Sequence, residues 1–74
     1  MRENEETHST VVENLKDLMA IARDLDMTDA DVDESGTMYV SPKQGGKTYE
    51  IPESIWNSAG APSRIRDAGR RLSR

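Results

Sequence analysis

The chain has 74 residues, a net charge of −4, no cysteine and three aromatic side chains, Tyr39, Tyr49 and Trp56. That length holds one domain, and the missing thiols exclude a disulfide scaffold, a cysteine-ligated zinc site and a thiol nucleophile. Twelve Leu, Ile and Val residues and no Phe promise a thin core in a chain that buries only about 60% of its unfolded surface.

No apolar run approaches the ~20 residues of a membrane span, and the acidic N-terminus lacks the charged-then-apolar plan of a signal peptide. A cytoplasmic protein with no membrane partner is expected. The charge is divided. Residues 1–36 carry eleven acids against Arg2, Lys16 and Arg23, a balance of −8, whereas residues 37–74 balance at +4. Such halves attract one another within the fold or across a homodimer, or the basic half meets an anionic partner.

Residues 1–9 read as a flexible acidic tail, and 10–74 as a single small domain. Thr10 to Glu13 matches a capping box. Behind it, Val11, Leu15, Leu18, Ala22 and Leu25 form one seam at helical spacing, widened by Val12 and Met19 on one side and Ile21 on the other. An amphipathic helix over about 10–26 is expected, packed against a core.

Three readings compete for the acidic run from Asp26 to Gly36. It is a short helix opened at Thr28 and anchored by Val32, a solvated linker, or a fragment of a calcium loop. The last copies the loop's positions one, three, five and six from Asp31 onward, but Pro42 stands where the closing bidentate Glu belongs. No metal site is assigned.

Thr37–Ser41 and Thr48–Ile51 alternate as strands do, with Met38, Val40, Tyr49 and Ile51 sharing one face and Tyr39 and Glu50 the other. They predict a two-stranded antiparallel hairpin leaning on the first helix. Pro52 then opens a short helix through Ala59 with Gly60 as its stop signal, and Ser63 caps a final helix over Arg64–Leu72. Its apolar side is Ile65, Ala68 and Leu72, interrupted by Gly69. The fold class is therefore α+β: one amphipathic N-terminal helix, a hairpin, and one or two short C-terminal helices.

The stretch Ser41–Thr48, SPKQGGKT, resembles a phosphate-binding loop in its letters only. Ser41 replaces the first glycine, and the strand-like Thr48–Ile51 ends at Pro52 where a helix must begin. It reads instead as a hairpin turn with Lys43 and Lys47 at its tip. His8 is the only histidine, and no serine has a candidate base beside it, so no catalytic set, cofactor site or enzyme activity is expected.

The C-terminal arginines carry the strongest interaction signal. On a helix Arg66, Arg70 and Arg74 form one ridge with Arg64 and Arg71 beside it, and the planar guanidinium pairs bidentately with carboxylate or phosphate. The alternative is a solvated basic face or pairing with the chain's own acids. Trp56 and Tyr39 are the aromatic types that favour interfaces. Glu53–Leu72 departs from a helix-turn-helix, because Trp56 falls where that motif needs a small residue.

The expected function is a small non-enzymatic regulator or inhibitor that binds another protein through Arg64, Arg66, Arg70, Arg71, Arg74, Trp56, Tyr39, Lys43 and Lys47. The alternative is nucleic-acid binding through the arginine helix and the hairpin tip. A variant gives the acidic segment from Glu3 to Glu34 the task of imitating a nucleic-acid backbone.

Overall fold

The structure is a computed structural model that describes residues 9–73. It is a small α+β domain with a four-stranded mixed sheet covered on one face by three helices. Strand β1 is Ser9–Val11, helix α1 is Leu15–Ile21, β2 is Asp31–Val32, β3 is Met38–Val40, β4 is Thr48–Ile51, α2 is Glu53–Trp56 and α3 is Ser63–Leu72. The strand order is β1-β4-β3-β2; β1 runs parallel to β4, and the other pairs are antiparallel.

The expected helix over 10–26 begins later and ends sooner. Ser9–Val11 extends along β4, with Val12 N–H continuing the ladder to the Glu50 carbonyl at 2.9 Å. Thr10 therefore sits in a strand, and the cap is Asn14, an extended residue whose side-chain oxygen accepts from the Asp17 N–H at 2.8 Å. The β-branched run at Thr10–Val12 suits the strand better than a first helical turn. After Ile21 the chain tightens into a 3-10 turn, Ala22–Asp24. The change of period at Asn14 overturns one assignment and keeps another: Val11, placed in the seam, is 51% exposed, whereas Val12, expected to widen it, is buried at 3%. Met19, expected to widen the seam, is 53% exposed. Leu18, Ala22 and Leu25 are buried as their spacing requires.

The expected hairpin is present, with Met38 opposite Ile51, Tyr39 opposite Glu50 and Val40 opposite Tyr49. It is the centre of the sheet and not a lone ribbon, which supplies the support that two strands lack in water. Its loop turns through Gly45 and Gly46, both at positive φ (77° and 96°), where glycine has no Cβ to clash. The loop is tied to the chain leaving the Ala22–Asp24 turn: Lys43 N–H donates to the Asp24 carbonyl at 2.7 Å and Asp26 N–H to that of Ser41 at 2.9 Å.

The acidic run is neither one helix nor a plain linker. Asp26 caps a 3-10 turn at Met27–Asp29, in place of the expected Thr28 start, and β2 then pairs Val32 with Met38.

On the helix-facing side, Val12, Ile51 and Met38 lie across the sheet with half-buried Val32 beyond them. Leu18, Leu25, Trp56, Ala61 and Ile65 close over them. Trp56 is 1% exposed, and its indole N–H donates to the Gly36 carbonyl at 2.8 Å, so its one polar atom is satisfied inside the core.

Two expected caps are replaced. Pro52 precedes α2 as its extended cap, and the helix ends at Trp56, before Gly60. Gly60 serves close packing instead, since a Cβ there would lie 2.6 Å from Leu15 Cδ2. Pro62 occupies the cap position before α3, and Ser63 is its first helical residue.

Candidate functional site

The helices cover one face of the sheet, and the opposite face holds no buried residue. The register lays one side chain from each strand across that open face: Val11, Glu50, Tyr39 and Asp31. Tyr39 and Glu50 are half-buried, and Val11 and Asp31 are exposed. An apolar edge is thus followed by a carboxylate, a phenol and a second carboxylate.

A third carboxylate joins this row. Asp33 folds back over the turn after β2: its Oδ1 accepts from the Ser35 hydroxyl (2.8 Å) and from the N–H groups of Ser35 and Thr37 (3.0 Å each). Its Oδ2 accepts from the Tyr39 hydroxyl at 2.9 Å. The Ser35 hydroxyl, joined by the other donors, holds the Asp33 carboxyl below its ordinary range. Donation to Asp33 pushes the Tyr39 phenol up, with partial burial and the nearby Asp33 and Glu50 charges adding to it. At neutral pH Asp33 is ionised and Tyr39 protonated, which suits recognition better than proton transfer.

The arginines of α3 are engaged within the fold. Arg64 Nη2 donates to the Ala22 carbonyl at the end of α1. Arg66 Nη1 reaches the carbonyls of Ala59 and Ala61 at 3.1 Å and of Ser58 at 3.4 Å. Arg70 Nε donates to the Asn57 side-chain oxygen at 3.0 Å. These partners are a helix-terminal carbonyl, loop carbonyls and an amide, not the acids of the chain's first half. Arg64 thus adds a cation at the carbonyl that closes α1, where the helix dipole favours positive charge, while Arg66 and Arg70 tie α3 to the Asn57–Ala61 segment that follows α2. Arg71 is exposed, and Arg74 lies outside the described residues, as does His8.

The lysines of the hairpin loop are exposed. Lys47 Nζ stands 5.4 Å from the Tyr49 ring centroid, within cation–π range. The Lys43 backbone and the Arg64 guanidinium dock on the same turn, Ala22–Asp24. Trp56 lies in the core and Tyr39 on the open face, so these two residues are not brought together.

Read as sequence alone, Asp31 and Asp33 appear only as part of a calcium-loop fragment and Val11 only as part of a helical seam. Alternation in β4 already set Glu50 beside Tyr39, but a two-residue strand has no period to detect, and Val11 was hidden by the helical seam. Among the described residues no three His, Cys, Asp or Glu side chains gather in a way that would hold a metal ion, and no helix is long and apolar enough to cross a membrane. No protein-family model, curated protein or solved structure matches the chain.

Proposed function

We propose that this is a small non-enzymatic regulator or inhibitor, cytoplasmic in location, that acts by binding another protein. The observation that carries the reading is the open sheet face, on which Tyr39 stands among Glu50, Asp31 and Asp33. A rigid aromatic with a polar tip, ringed by carboxylates and mounted on a central strand, suits a basic protein surface. The engagement of Arg64, Arg66 and Arg70 with their own fold supports moving the contact from α3 to this face.

Nucleic-acid binding is the second reading, favoured by exposed Lys43, Lys47 and Arg71. Affinity capture from lysate with and without nuclease separates the two. Protein binding predicts that a specific protein is retained after nuclease treatment. Capture that vanishes with nuclease, or that falls steeply with salt as displaced counterions require, would support the second reading.

A further inference from the structure

The two edges of the sheet differ. At one edge, β2 is two residues long and carries Asp31, the short and charged form that discourages strand addition. At the other, β1 reads Ser9-Thr10-Val11, with no charge and no proline. Because Val12 N–H donates to the Glu50 carbonyl and Val11 is opposite Glu50 in a parallel pair, the Val11 N–H and C=O point away from β4. The same parity turns the Ser9 backbone outward. Among the described residues nothing pairs with this edge.

Beside it, between β1 and α1, lies a mainly apolar groove of about 210 Å³ lined by Thr10, Val12, Ala20, Ile21 and Tyr49, with Asp17 also in its wall.

We propose that an extended segment of a partner protein adds to the outer edge of β1 as a fifth strand. Its backbone pairs with Val11, and alternate side chains enter the groove against α1. Strand addition of this kind takes affinity from main-chain hydrogen bonds and selectivity from pockets for every second side chain. The chemistry of the segment follows from the walls. Side chains facing α1 are aliphatic, to fill the space against Ile21, Ala20 and Tyr49. Lys or Arg at neighbouring positions meets Asp17 at the groove and Glu50 beside Val11 on the other face. The inference rests on the protein-binding reading but not on Tyr39 or Asp31.

The test pans the full chain against displayed random ten-residue peptides, then titrates a synthetic enriched peptide against variants. Enriched sequences should alternate aliphatic residues with Lys or Arg. Val11→Pro removes only an outward N–H and keeps the bond from Val12 to Glu50, so the urea midpoint should hold while peptide affinity falls about five- to tenfold, the equivalent of one lost hydrogen bond. Ala20→Glu, at an exposed helix position, should weaken the peptide as much by blocking the groove, whereas Asp67→Asn, exposed on α3, should leave it unchanged.

Absence of enrichment, or a peptide indifferent to both Val11→Pro and Ala20→Glu, overturns the edge site. So does sedimentation showing a wild-type dimer that Val11→Pro makes monomeric and the peptide cannot dissociate, since the edge then belongs to a second copy. If nuclease-resistant protein capture persists while the peptide test fails, the edge alone is rejected and protein binding stands.

Discussion

Gly69 lies on the side of α3 that meets Trp56, and a Cβ built there falls 2.3 Å from the indole Cε3 and Cζ3. Read along the chain, this glycine weakens a helix; in the fold it lets α3 approach the largest core side chain. Gly69→Ala gains helix propensity of about 1 kcal/mol but must displace a buried ring, and overpacking costs about 1–3 kcal/mol. A net loss of stability is expected, read by urea unfolding followed through Trp56 fluorescence; a more stable variant would show that the packing is not tight.

Asp33 offers a second test at this scale. Its carboxyl is held below the ordinary 3.8, first by the Ser35 hydroxyl. A depressed carboxyl contributes stability that is present above its unfolded pKa and is lost as pH falls through the folded value. Acid unfolding of wild type should therefore steepen below 3.8, and Asp33→Asn should flatten that limb; identical limbs would contradict the network. Tyr39 works in the opposite direction, since the protonated phenol donates to Asp33. Its contribution is complete below 10.0 and declines as pH rises through the raised folded value.

At the scale of elements, α3 holds the end of α1 and the segment that follows α2. Arg66 reaches three carbonyls around Ser58–Ala61 from one nitrogen, Nη1, placed there by the length of the arginine arm, which the shorter and more strongly hydrated lysine does not match. Arg66→Ala should destabilise by about 1–2 kcal/mol, and Arg66→Lys should recover less than half of that. Arg71→Ala, at an exposed position, should change the urea midpoint little. Equal effects at both positions would remove the clamp from the account.

The same scale shows what was legible. The hairpin, its face assignment and the turn at Gly45–Gly46 followed from alternation and turn chemistry, and α3 from the apolar spacing of Ile65, Ala68 and Leu72, though not from its expected cap. The first helix was overextended because Val11 and Val12 fit a helical seam as well as a strand, and only pairing with β4, distant in sequence, decides between them. β2 was invisible because two residues set no period, and it forms only where Met38 and Tyr39 offer a ladder. The arginine ridge was visible as a pattern, but its partners are backbone carbonyls, which linear sequence does not locate.

For the whole molecule, the charge division becomes a spatial one. Asp31 and Asp33 of the acidic half stand with Glu50 on the open sheet face, and arginines of the basic half tie α3 to the end of α1 and to the loop after α2. The core of Leu18, Leu25, Met38, Val40, Ile51, Trp56 and Ile65 is completed within one chain, so a partner is not required to close it. The proposed protein partner would meet the face bearing Tyr39, Glu50 and Asp31. The most direct measurement is nuclease-treated affinity capture with wild type, Tyr39→Ala/Glu50→Lys and Arg71→Glu, quantified by mass spectrometry after each variant is shown to fold. The account predicts a protein retained by wild type and Arg71→Glu and lost from the sheet-face variant. Retention by the sheet-face variant with loss from Arg71→Glu would contradict it and return the contact to α3.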